Sequence, residues 1–495
     1  MARYTGGMAA TAELILANRS YLDHDSPPGD GEPPPPASGG LLAAVRPAIQ
    51  PWDGAGTTWI GAGRGCFDTA FADEQGIELI DTQAGPLRHR RLFFDDPTWT
   101  GHYADVANGF LWPLLHLVRV PLPEAAICYP RPSIPTDEAW DAFVSVNRAF
   151  ADAALRQSGS TCWVHDYQLA LAPAFLRSGG FSGRTGFFLH TPFPDLTVAR
   201  RYLDARGERF LAACVSGMLE AGLIGFQSRA DVQRFAAAAT ELRGARPAAD
   251  GLLYEGRTVF LGAYPVGVDA AEVAAAVATG AVPATVESAR ASAIPFVVGL
   301  ERCDFTKGIP ERLAAVTRAF ETGERFAYAG IAAPTREGVP GYAALNLAVA
   351  AGGARAERAA AANGGAFVQL RQAIAWPEVI ALQREADVIF TSSLADGMNL
   401  VPLQAALAQE RRPRANRAMV IAGRDTGVAE AFAAFGDNGL TFVDPLEPEQ
   451  LIATLRRAAS GQLARVSDAF IAAVRARDAH AWATSFLTDL EETPC

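Results

Sequence analysis

"PFVVGLERCDFTKGIPERLAAVTRAF", residues 295–320, reads as strand, loop and helix in succession. Pro295 to Leu300 is a short β-rich apolar run, and "GIPERLAAVTRAFET" that follows repeats apolar residues at helical spacing. The same alternation recurs from residue 160 onward. Strands are expected at Thr161–His165, Thr185–His190, Gly222–Phe226, Thr258–Tyr264, Pro295–Leu300, Phe326–Ile331, Phe367–Leu370, Val388–Thr391, Met419–Ala422 and Leu440–Val443. Helical stretches such as "ARRYLDARGERFLAACVSGML" lie between them, which is the pattern of βαβ units and parallel sheets. So many strands exceed one doubly wound sheet, and the expected fold is α/β, with two Rossmann-like doubly wound domains facing a central cleft.

The expected domains are 1–270, 271–475 and a C-terminal helical segment 476–495 that packs back on the first. The boundary falls after Asp269, in the alanine-rich "GVDAAEVAAAVATGAVPATVESARASAIP". "DHDSPPGDGEPPPPASGG", Asp23 to Gly40, holds too much proline and glycine for a helix or central strand and is expected as a mobile loop near bound phosphates.

A length of 495 residues suits two large domains, and a net charge of -11 argues against a general nucleic-acid or anionic-membrane binder. The first twenty residues carry only one short apolar stretch, Leu14 to Ala17, and no later run has the length of a membrane span. The chain is therefore read as cytoplasmic, with small molecules as partners and a homo-oligomer left open. The six cysteines contain no C-x-x-C pair, so neither a zinc site nor a disulfide framework is indicated.

Ligands of such sheets bind beyond the carboxyl ends of strands. Arg302, Asp304 and Lys307 stand there, after the Pro295 strand, and Lys307 is the only lysine in the chain. Two cations five residues apart in one loop can flank a diphosphate, the guanidinium by forked hydrogen bonds and the ammonium as a compact charge. The plain alternative is a solvated strand end. "SSLADGMNLVPLQAALAQ" follows the Val388 strand; Asp396-Gly397 supplies a turn, and the amides of Gly397, Met398, Asn399 and Leu400 would face an anion at a helix start. His165 with Asp166, and His190, end two further strands. The chain has no G-x-G-x-x-G after its first strand, no P-loop and no G-x-S-x-G elbow, so the corresponding oxidoreductase, kinase and hydrolase readings lack their motifs.

The stretches "LANRS", "SGGLL", "WIGAG", "HYADVANGFLWPLLH", "WVHDYQLALAP", "FFLHTPFP", "LIGFQS", "GRTVFLGAYPVGVD", "GLERCDFTKGIPERL" and "DGMNLVPLQ" occur in this order. In that order they resemble the trehalose-6-phosphate synthases, retaining glucosyltransferases of the two-domain GT-B architecture. The resemblance implies transfer of glucose from a nucleotide-diphosphate donor, UDP- or GDP-glucose, to glucose 6-phosphate, with no cofactor beyond the nucleotide sugar as co-substrate. It places Arg19, Trp59, Tyr103, Trp112, Asp166 and Arg336 on the acceptor. It places Gly40, Arg302, Lys307, Gly397, Met398, Asn399, Leu400 and Gln404 on the donor, and Arg302, Lys307, His190 and Asp396 at the chemistry. Gln404 stands where the family usually has a glutamate on the nucleotide ribose, and Ala395 where it has an arginine, so the departures cluster on the donor side. The rival expectations are a pseudoglycosyltransferase joining an activated cyclitol to an amino-cyclitol phosphate, a synthase using glycerol 3-phosphate, and a sugar-phosphate sensor without turnover. A phosphorylase with pyridoxal phosphate on Lys307 is the remaining one, and it would show a visible Schiff-base absorbance.

Overall fold

A computed structural model describes residues 12–28, 40–82, 85–119, 129–291, 294–336, 338–339, 341–436 and 439–494. Most of the proline-rich loop from Asp23 to Gly40 therefore lies outside the described residues. The chain separates into two compact units. One gathers the described parts of Met1–Trp112, Pro132–Tyr264 and Ala479–Cys495, and the other those of Pro113–Arg131 and Pro265–Asp478. The described residues 113–119 and 129–131 thus group with the second unit although they precede the expected boundary by well over a hundred positions.

The first unit contains β1 (Leu14–Arg19), β2 (Thr58–Ala62), β3 (Ile77–Thr82), β4 (Gly85–Leu92), β5 (Thr161–His165), β6 (Arg184–Phe188), β7 (Leu223–Phe226), β8 (Arg246–Ala248), β9 (Gly251–Tyr254) and β10 (Arg257–Ala263). They form one sheet in the order β3-β4-β2-β1-β5-β6-β7-β10-β9-β8. Its centre, from β4 to β10, is parallel, and β3, β9 and β8 are antiparallel additions at the two margins. The sequence accounts for this division. β5 ("TCWVH") is buried along its whole length, as a strand covered on both faces must be. β3 ("IELIDT") alternates and carries charge, which suits an edge.

The second unit contains β11 (Phe296–Leu300), β12 (Ala327–Ile331), β13 (Ala366–Leu370), β14 (Val388–Phe390), β15 (Met419–Gly423) and β16 (Leu440–Val443). All their pairings are parallel, in the order β13-β12-β11-β14-β15-β16. In sequence order this is 3-2-1-4-5-6, the Rossmann arrangement, whose direction of winding reverses between β11 and β14. The fold is α/β with two parallel-sheet units, as the strand–helix alternation predicts.

Helices are delimited by local chemistry. The helix Ala205–Leu219 starts where the Asp204 side chain accepts from the Gly207 amide. Ser228 does the same for Arg229–Arg243, which Gly244 ends in the left-handed region. The C-terminal helix Ala479–Glu492 packs on the first sheet. A Cβ on Gly186 or Gly225 would stand 2.8 Å from the Phe486 ring, so only glycine on β6 and β7 leaves room for it. Among the described residues no helix is long and apolar enough to cross a membrane.

Candidate active site

In the second unit, the reversal point between β11 and β14 brings two loops together. The Leu394 amide donates to the Thr306 carbonyl at 2.7 Å, and Ser392 Oγ donates to the carbonyls of Lys307 and Gly308 at 2.9 Å each. Gly308 has φ +58°, and a Cβ there would stand 2.2 Å from the Ser392 carbonyl oxygen, so glycine is required for the approach. The consequence is a fixed meeting of Lys307 with Asp396, whose carboxylate pairs with the ammonium. Arg302 is exposed on the same loop.

Beneath these groups lies a buried polar layer. Asp304 accepts from Arg336, from Tyr342 at 3.0 Å and from the Thr306 amide at 3.2 Å. Burial opposes its charge, but the guanidiniums of Arg336 and Arg302 outweigh that and hold the carboxyl below its ordinary value. Glu301 pairs with Arg312, and Ser393 donates to Glu301 at 3.1 Å while accepting from Asn399 at 3.0 Å. Asn399 takes φ +63°, which turns the chain into the helix Val401–Ala408. The amides of Gly397, Met398, Asn399 and Leu400 have no acceptor among the described residues. Gln404, one turn into that helix, accepts from Gln383 at 3.3 Å. This loop and helix start thus supply what an anion needs: Lys307, Arg302 and a run of unspent amides.

In the first unit, β1 ends at Arg19, which donates to the Tyr103 hydroxyl at 3.3 Å. Tyr103 belongs to Thr100–Leu111, twelve residues wound as a π-helix, a rare form that often marks functional sites. The wide winding is held from inside. Asn108 Nδ2 donates to the Tyr103 carbonyl at 2.8 Å, Tyr167 donates to Asn108 at 3.1 Å, and His102 meets Asn18 at 2.8 Å. Asn18, Arg19, Ser20, Asp23, Ala62, Arg64, Trp99 and Tyr103 enclose a cavity of about 260 Å³. Trp112 ends the π-helix, buried and tilted on Tyr167 at 5.8 Å.

His165 Nδ1 and His190 Nε2 stand 3.2 Å apart at the ends of β5 and β6. Asp166, at φ +73°, accepts from the His190 amide at 3.2 Å. Trp482 of the C-terminal helix lies against His190 at 5.8 Å. Burial lowers the His190 imidazole to about 3, so it is neutral in ordinary buffers.

Trp59 is 1% exposed and its indole N–H donates to the Arg19 carbonyl at 3.0 Å, so it anchors the strand end that presents Arg19. Arg336 belongs to the second unit, tied to Asp304 and Tyr342. Gly40 begins the helix Gly40–Val45. Sequence reading passed over Asp23, Arg64 and Trp99; the one available signal is that Arg64 sits between two glycines of "GAGRG". Among the described residues no group of three His, Cys, Asp or Glu side chains is placed to hold a metal ion.

A family model described as glycosyltransferase family 20 matches residues 42–492. The chain belongs to glycosyltransferase family 20. It is 31% identical to a trehalose-6-phosphate synthase of Mycolicibacterium smegmatis over 78% of this chain and 75% of that protein. It is 27% identical to an alpha,alpha-trehalose-phosphate synthase [UDP-forming] of Aspergillus fumigatus over 84% of this chain and 86% of that protein. A crystal structure of a UDP-forming enzyme of that name from Burkholderia xenovorans, in complex with glucose-6-phosphate, superposes with a TM-score of 0.76 at 24% identity. It covers 96% of this chain and 99% of that one, and bears on the fold alone.

One group beside the family's cationic loop carries a pH signature. Tyr129 donates to Glu311 Oε1, while Glu311 Oε2 has no partner among the described residues. Burial pushes this carboxyl up from an ordinary 4.5 to about 7. Between those values the folded chain binds the proton that the unfolded chain has lost, so stability falls as pH rises through the interval. Glu311→Gln removes that loss. Its melting temperature is expected to gain on wild type as pH is raised from about 5 to about 8. Thermal unfolding at both pH values checks this, and a difference independent of pH would contradict it.

Proposed function

We propose that this chain is a retaining glucosyltransferase that makes α,α-trehalose 6-phosphate from UDP-glucose and glucose 6-phosphate. Family membership and the names of its relatives support the activity, and the relative named UDP-forming supports uridine over guanine in the donor. The observations that support the mechanism are, within the second unit, a loop that presents Lys307, Arg302 and unspent amides and, within the first, a cavity lined by Arg19, Arg64, Ser20 and Tyr103.

Arg302, Lys307 and the amides of Gly397 to Leu400 hold the donor diphosphate, with Asp396 orienting Lys307 and the transferred sugar. Gln404 meets the nucleotide ribose as a neutral amide, at about 0.5–1.5 kcal/mol per hydrogen bond against about 1.5–3 for a charged one. Arg19, Tyr103 and Arg336 take the acceptor phosphate, Trp112 and Asp166 position its ring, and neutral His190 bonds the glucose being moved. The glycosidic bond breaks toward the diphosphate, and the departing oxygen takes the proton of the acceptor hydroxyl that attacks on the same face. Such a path requires stabilisation of the leaving group more than a general base, and Arg302 and Lys307 supply that. Acceptor contacts contribute orientation. The chain acts in the cytoplasm, on soluble substrates.

Incubation of the purified protein with glucose 6-phosphate and, separately, UDP-glucose or GDP-glucose tests this. The expected product has the mass of trehalose 6-phosphate and two α-anomeric proton couplings, formed faster from UDP-glucose. No product from either donor would overturn the activity; preference for GDP-glucose would overturn the donor alone.

A further inference from the structure

The cavity at the end of β1 holds two charged side chains that neither the motifs nor the mechanism above has used. Asp23 Oδ1 is buried and has no hydrogen-bond partner among the described residues, although it lines the cavity with Arg19, Arg64 and Tyr103. A buried carboxylate oxygen left unpartnered is costly, and it persists where a ligand completes it. Arg64 shares this lining, and among the described residues its only ion pair is a 3.5 Å contact to Asp96, which is 90% exposed. Such a pair contributes little and yields readily to a better anion.

Both residues are held in place by their neighbours. Asp68, 1% exposed, accepts from the His24 amide with Oδ1 and from the Gly65 amide with Oδ2, each at 2.8 Å. One carboxylate thereby fastens together the residues that follow Asp23 and Arg64. Buried Arg91 neutralises it at 3.0 Å. A Cβ on Gly65 would stand 2.4 Å from the His24 nitrogen and one on Gly63 2.7 Å from Phe93, so the glycines on either side of Arg64 permit this closeness. The guanidiniums are spaced by aromatic rings. Arg64 lies over Trp99 at 5.2 Å, Trp99 stacks on Tyr103 at 5.4 Å, and Tyr103 bonds Arg19.

Resting on the acceptor assignment above, we propose that Arg64 and Asp23 are further acceptor-binding residues. Arg64 joins Arg19 on the phosphate of the sugar phosphate, and Asp23 Oδ1 accepts a hydrogen bond from one of its hydroxyls. The volume of about 260 Å³ sits near the lower end of small-molecule sites, roughly 300–1,000 Å³, as suits a monosaccharide phosphate rather than a nucleotide. A carboxylate in the same lining as the two guanidiniums also disfavours a second phosphate on the ligand, so the pair selects a monophosphate with free hydroxyls.

Calorimetric titration of glucose 6-phosphate into the full-length protein, with UDP present, tests this beside acceptor and donor KM values. Arg64→Ala and Asp23→Asn are expected to weaken glucose 6-phosphate binding about 10- to 100-fold, with donor KM and melting temperature nearly unchanged. Arg64→Lys is expected to recover part of the loss, and Arg64→Gln replaces the alanine variant should that one fail to fold. Wild-type affinity in the Arg64 and Asp23 variants would overturn the proposal, as would a wild-type protein that binds no glucose 6-phosphate. A wild-type protein that binds glucose 6-phosphate, loses it on these substitutions and yet makes no disaccharide would sustain the pocket and condemn the activity instead.

Discussion

Lys307→Ala is expected to lower kcat by about 10²- to 10³-fold, the effect of removing one preorganised donor aimed at charge that grows in the transition state, while the melting temperature stays nearly constant. The ammonium is 14% exposed and its partner Asp396 17% exposed, so water can reach the carboxylate once the lysine is gone. A partly buried pair that stays open to water costs far less to break than a fully buried one, too little to unfold the second unit. The contrast between a large kinetic loss and a small thermal one is what separates a diphosphate clamp from a solvated strand end. Because no other lysine exists, amine chemistry gives a second reading. Reductive methylation of the intact protein should modify Lys307 and the N-terminus, and saturating UDP should protect the former. A kcat within about threefold of wild type, or labelling indifferent to UDP, would remove Lys307 from the site.

How far the sequence foretold this arrangement depends on the kind of signal each residue leaves. β11, β12 and β15 are buried along their length, so their apolar runs announce a parallel sheet directly. β3 and β4 ("IELIDT", "GPLRHRRL") mix charge into a margin of the sheet, and their pattern is harder to tell from a polar loop. The π-helix left no trace that periodicity could detect, since its side chains follow neither a period of 3.6 nor one of 2. For the candidate site, strand ends followed by charged loops single out Arg302, Lys307 and Asp396, and the folded chain brings the last two into an ion pair. Position along the chain could not show that the Trp59 indole holds the Arg19 carbonyl, nor that Asp68 draws together the segments after Asp23 and Arg64 across forty residues. Those facts depend on packing between elements distant in sequence.

The buried layer under the cationic loop leads to the largest expected effect on stability. Arg312 has a side chain 1% exposed and pairs with Glu301, itself 2% exposed, at the end of β11. The same Nη1 donates to the Phe390 carbonyl at the end of β14 at 3.0 Å. One guanidinium thus joins the two strand ends between which the sheet reverses. Gly299 makes the space: a Cβ there would stand 3.0 Å from Arg312 Nε. Truncation by Arg312→Ala leaves Glu301 charged, buried and uncompensated, a change that typically costs about 3–5 kcal/mol. In a unit of this size that corresponds to a melting temperature lower by roughly 10 °C. Replacing both partners, Glu301→Gln with Arg312→Met, removes the stranded charge, and it is expected to restore much of the thermal stability. It should not restore turnover, because Ser393 donates to Glu301 and accepts from Asn399, and through them the pair sets the loop whose amides we propose to hold the diphosphate. Thermal unfolding of the single and double variants with parallel kcat measurement checks both halves. A double variant as unstable as Arg312→Ala would show that the loss comes from packing rather than from charge.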